Sequence, residues 1–175
     1  MAAAGGIGEL MRVYFPATTR TLRDMVDTGE LGPAPLTGFA VTPQLRAWYR
    51  DSDLDELEYA ALLDAARGSL RLLDQDPGAM PRRAVVAVDV PDEQVTLRPD
   101  LDRAVVRVAM PVPMKLVASV HVDGAEAEKA VAAAVAVVLE ADLGSDDAKF
   151  VVDGAEGYDL LWYASQEVGP LLDLL

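Results

Sequence analysis

Cysteine is absent from the 175 residues, so the chain can form no disulfide, no thiolate zinc or iron–sulfur site and no cysteine nucleophile. Histidine occurs once, as His121, which excludes a two-histidine metal site. Basic residues are scarce: 15 Lys plus Arg against 29 Asp plus Glu leave a net charge of −14. A field of that sign repels nucleic-acid phosphates and anionic headgroups, so neither nucleic acid nor a membrane surface is an expected partner. Long apolar runs are missing too. The longest uncharged one, Ala130 to Leu139, is half of the ~20 residues that a membrane-spanning helix needs. The opening MAAAGGIGEL lacks the basic and apolar regions of a secretory signal, and a reducing cytosol is the expected home. There is no GxxxxGK[ST] loop, and Gly5-Gly6-Ile7-Gly8 lacks a preceding strand and the spacing of a dinucleotide fingerprint. No cofactor is expected.

What is present is the composition of a folded protein, with 51% apolar and 25% charged residues, and a length that fits one domain. The charge is uneven. Up to Lys115 there are 13 basic and 17 acidic residues, and from Leu116 onward 2 and 12, so the C-terminal third carries −10 of the total. Such a field serves solubility, or steers a basic protein partner to this end of the chain.

Residues 1–10 are small and Gly-rich and read as a disordered leader, with a single domain over 11–175. A strand is expected at 12–16. Thr18 or Thr19 then caps a short helix that Gly29 stops. Gly32-Pro33-Ala34-Pro35 breaks regular structure before a short strand at 39–41, and Thr42-Pro43 starts another helix. The apolar period through Leu54, Leu57, Ala61, Leu62, Ala65, Leu70 and Leu73 predicts a long amphipathic helix ended by Asp76-Pro77-Gly78. Valine-rich runs at 84–90, 103–110 and 117–122 predict strands joined by short connections. Helices are expected over 125–142 and 155–168, the first apolar all round and buried against the sheet, the second stopped by Gly169-Pro170. Pro77–Arg83 is the one expected hinge. The fold class is α+β: a single domain with a mixed, partly antiparallel sheet of about five strands packed by helices.

The run Arg12-Val13-Tyr14-Phe15-Pro16, the segments GFAVTPQLRAWY (38–49), DLDELEYAALLDAA (53–66) and LDRAVVRVAMPVP (101–113), and LWYASQE (161–167) together carry a resemblance. The chain resembles an uncharacterised family of small acidic proteins from actinobacteria, a domain of unknown function, over roughly 11–168. The resemblance implies a cytosolic protein and brings no catalytic residue with it.

Asp51, Asp53 and Asp55 match the first three ligand positions of a calcium loop, but the positions that need Gly and Glu hold Glu56 and Leu62. Carboxylates at the start of a helix are also favoured by capping and by the helix dipole, which explains them without a weak magnesium or calcium site. Alternation puts Ser119, His121 and Asp123 on one strand face, yet residues two apart on a strand are separated by ~6.5–7 Å, too far for triad contacts. The pairs Trp48-Tyr49 and Trp162-Tyr163, placed on helices, each send one ring inward and one outward. The expected function is a non-catalytic cytosolic interaction or regulatory domain. Its partner-facing surface comprises Trp162, Tyr163, Asp146, Asp147, Asp159 and the terminal Leu171, Leu172, Leu174 and Leu175. The alternative is a metal-assisted hydrolase or transferase using carboxylates of the Asp51–Asp55 or Asp100/Asp102 segments with Arg46 or Arg103.

Overall fold

The computed structural model describes residues 8–175. β1 (Leu10–Ala17) leads into α1 (Thr19–Thr28), where the Thr18 and Thr21 hydroxyls each accept from the other's backbone N–H. This helix ends at Gly29, whose φ of 80° is the left-handed conformation that glycine adopts without strain. β2 (Glu30–Leu31) and β3 (Leu36–Ala40) precede α2 (Pro43–Trp48), capped by Thr42 with proline at its start. α3 (Leu54–Gln75) is the longest helix, and its first turn is capped by Asp53 Oδ1 accepting from the Glu56 N–H. Five strands follow: β4 (Ala84–Pro91), β5 (Val95–Leu97), β6 (Val105–Val108), β7 (Val112–Pro113) and β8 (Val117–Val122). The chain then forms α4 (Glu128–Asp142) and α5 (Asp146–Glu156), returns to the sheet as β9 (Leu161–Tyr163) and closes with α6 (Val168–Asp173).

Seven strands make one sheet in the order β5-β6-β3-β1-β4-β8-β9, and β2 pairs with β7 separately. Every neighbouring pair is antiparallel. β1 and β4 form its centre, in register from Leu10 opposite Pro91 to Ala17 opposite Ala84. Alternation sends Val13, Phe15, Val86, Val88, Val106 and Val120 to one face, where Leu22 and Met25 of α1 and Val168 and Leu172 of α6 cover them. The opposite face presents Tyr14, Val85 and Ala87 to Leu57, Ala61 and Ala65 of α3. The α4–α5 hairpin lies outside α3, packing Val131, Ala134, Val138, Ala148 and Val152 against Leu70 and Leu73.

The α+β class is as expected, but the sheet differs: it has seven strands rather than about five, and it is antiparallel rather than mixed. β5 and β9 are three-residue edge strands, too short for local pattern to identify; β5 is settled by pairing with β6, the next strand, and β9 by pairing with the distant β8. Leu161 to Tyr163 is strand where a helix was expected, and Gly169 and Pro170 lie inside α6 instead of ending a helix. α4 packs on helices and not on the sheet; its outer surface carries Ala132, Ala133 and Ala136 with Leu139 and the charged Lys129 and Glu140. Of the expected leader, residues 1–7 lie outside the described residues. Leu10, however, belongs to β1, and the Glu9 carbonyl accepts from the Asp92 N–H. The expected hinge is anchored: Arg83 is buried and Arg82 pairs with Glu128.

Candidate functional site

α3 covers only part of its sheet face, and the strand registers carry a set of polar side chains beyond it. Arg12 stands opposite Asp89, Tyr14 opposite Ala87 and then Ser119, and Val85 opposite His121 and then Trp162. Cross-strand partners share a face, so these rows align Arg12, Tyr14, Asp89, Ser119, His121 and Trp162 on one side. The N-terminal half of α3 adds Asp55, Glu58, Tyr59 and Leu62, and with all of the strand residues except Asp89 they line a shallow recess of about 260 Å³.

The recess is held by paired charges. Arg12 donates from Nε to Asp89 Oδ1 at 2.7 Å and from Nη2 to Oδ2 at 3.1 Å, and this hydrogen bonding outweighs burial in strengthening its proton affinity. The Tyr14 hydroxyl donates to Glu58 Oε2 at 3.2 Å. Burial first, and the Glu58 charge next, push the Tyr14 phenol up to about 12, so it stays a donor at neutral pH. Burial, with help from Arg12, holds His121 below its ordinary value and therefore neutral at pH 7.

Ser119 Oγ lies 3.0 Å from His121 Nε2, although contact was not expected for residues two apart on a strand. Both residues stand in β8, and their side chains lean together along the strand. Asp123 does not complete a triad. It sits at the end of β8 in a buried ion pair, accepting from Arg83 Nε and from Arg83 Nη2, both at 2.8 Å, and from the Arg83 backbone N–H. Among the described residues no carboxylate hydrogen-bonds the His121 ring, whose one side-chain partner is Ser119, so nothing orients the imidazole as that chemistry requires.

The other expected site residues are scattered. Asp53 is used in capping, Asp51 and Asp55 are exposed, and among the described residues no three His, Asp or Glu side chains converge as metal ligands. Asp100 is paired with Arg98, and Arg103 lies over the Trp48 ring at 3.5 Å, so neither forms a centre with Arg46, which lines a hollow beside Glu58 and Asp89. Trp162 is 60% exposed, whereas Tyr163 turns to the opposite face and packs on the core. One ring outward and one inward is as expected, though strand alternation and not a helix produces it; Trp48 and Tyr49, by contrast, are both exposed. Asp159 lies beside the recess, near Tyr158 and Tyr59. Asp146 and Asp147 are exposed in the first turn of α5, the end remote from β9. Leu172 is buried and cannot face a partner, and Leu171 packs on the same cluster; Leu174 and Leu175 are exposed.

Sequence reasoning missed a second polar group around Asp64. The Arg71 guanidinium bonds Asp142 at 2.7 and 2.9 Å, and Asp64, Arg67, Asp102 and Lys149 share the same hollow. Burial, then Asp102, pushes the Asp64 carboxyl up to about 6. The available signal was an aspartate inside the apolar stripe Leu62-Leu63-Asp64-Ala65-Ala66.

The fold and this face define an α+β domain with an aromatic and acidic recess beside an edge strand. The chain belongs to a family of unknown function (DUF6912), whose model matches residues 11–172, close to the span over which the resemblance was expected. No curated protein and no solved structure matches it. Among the described residues no helix is long and apolar enough to cross a membrane.

Proposed function

We propose that the domain is a non-catalytic cytosolic interaction or regulatory module that docks a basic protein segment on the face formed by β9 and the N-terminal half of α3. The observation that carries this reading is Trp162, 60% exposed on the edge strand β9 at the rim of a recess shared with Tyr59, Asp55 and Glu58. Exposed tryptophan is costly in water and is the residue type that anchors interfaces. The charge around it, from Asp55 and Glu58 in the recess and Asp159 beside it, is complementary to a cationic partner.

The test uses the amide spectrum of the ¹⁵N-labelled domain and two twelve-residue peptides, one alternating serine with basic residues and one alternating serine with glutamate. The basic peptide shifts the Trp162 indole and the β9 amides at low salt, and Trp162→Ala removes the response while lowering the melting temperature little. Equal responses to both peptides, or shifts confined to other surfaces, refute the reading.

A further inference from the structure

We infer that the recess between β8, β9 and α3 is a subsite for one arginine side chain of the partner, with the guanidinium stacked on Trp162 and paired with Glu58. The inference rests on the docking reading and makes it specific.

Size comes first. At about 260 Å³ the recess falls below the roughly 300–1,000 Å³ of pockets that enclose whole small molecules, and it is open on the solvent side, so it suits a side chain that enters from a docked segment. Its walls supply two kinds of attraction for a cation. Trp162 and Tyr59 present aromatic rings, whose faces are electron-rich. Asp55 and Glu58 add carboxylates, and Glu58 is oriented for the task because Tyr14 holds its Oε2, leaving Oε1 to accept from a ligand.

The field inside the recess stays negative. Arg12, the one permanent cation in its lining, is neutralised by a two-pronged bond to Asp89. His121 is kept neutral by burial and adds no charge at pH 7. An anion would meet two carboxylates here, and an uncharged apolar group would leave them unpaired.

Arginine fits better than lysine because a planar guanidinium can lie flat on an indole while its edge forks to a carboxylate, which a compact ammonium cannot do. The same protein already makes this arrangement once. Arg103 stacks over Trp48 at 3.5 Å from the ring centroid, with Asp102 Oδ1 3.9 Å from its Nη1. Trp162 and Glu58 bring the same two residue types, an indole and a carboxylate, to the lining of the recess.

The experiment compares two serine-alternating peptides of equal length and charge, one with arginine and one with lysine, by titration at low salt. The Trp162 indole resonance is followed and assigned through Trp162→Phe. The arginine peptide is expected to bind about fivefold more tightly and to move the Trp162 indole further. Glu58→Gln, which still accepts from Tyr14, should abolish that preference while the melting temperature holds. Equal affinities, with both peptides moving the Trp162 indole alike, overturn the arginine subsite and leave the docking reading standing. Binding of neither peptide overturns both.

Discussion

At Gly38 in β3 a Cβ would fall 2.6 Å from Val13 Cγ1 and 2.9 Å from the Phe15 ring, inside the central sheet where neither neighbour has room to retreat. Gly38→Ala should therefore cost about 1–3 kcal/mol by overpacking, read as a lower urea midpoint with unchanged slope. Asp64 tests the opposite sign. Its folded-state pKa of about 6 stands above the ordinary 3.8, so the native form holds the proton more tightly, and stability is lost as pH rises through about 6. Asp64→Asn should stabilise the domain at pH 8 by about 1 kcal/mol once solvent screening is allowed for, or about 2–4 °C, and change little at pH 4. Equal effects at both pH values would show that Asp64 acts through packing and not through its charge. The two residues also mark what can be read locally. The caps Thr18, Thr42 and Asp53 were legible because each bonds a backbone N–H three residues away. The burial of Asp64 was not, because residues from distant segments, such as Asp102, Asp142 and Lys149, close its surroundings.

Edge strands and their fasteners show the same limit at the scale of elements. β9 has three residues, and nothing local distinguishes Leu161-Trp162-Tyr163 from a helical turn; pairing with β8 settles it. The central strands, with long alternating valines, were legible because their pattern alone fixes two faces. Arg83 fastens the region that leads to β9. Besides its pair with Asp123, its Nη2 donates to the Tyr158 carbonyl at 2.7 Å, tying the α5–β9 connection to the start of β4. Both side chains are essentially unexposed, at 1% and 0%, so removing one leaves the other charge stranded. Asp123→Asn should cost about 3–5 kcal/mol in chemical denaturation, whereas replacing both partners with apolar residues of similar volume recovers a large part of the loss. A single-variant loss below about 1 kcal/mol would mean that water reaches this pair.

Over the whole molecule the charge is far from balanced. Nine ion pairs within the described residues engage nine arginines and eight carboxylates, of 29 acidic residues in the chain. Most carboxylates therefore face water with no cation of their own, and their mutual repulsion opposes the compact state. Most of the ion pairs are at least partly exposed and individually worth little, so salt removes more repulsion than attraction. Raising sodium chloride from 0.01 M to 0.15 M shortens the screening length from about 30 Å to about 8 Å. The melting temperature at pH 8 should rise by about 2–4 °C, the response of a domain of this size to about 1 kcal/mol. Affinity for a basic peptide should fall over the same range, because screening weakens the attraction between unlike charges. The two responses thus have opposite signs from one cause. A melting temperature that falls with salt would place the dominant electrostatics in the ion pairs, and a peptide affinity that holds constant would remove charge from the account of docking.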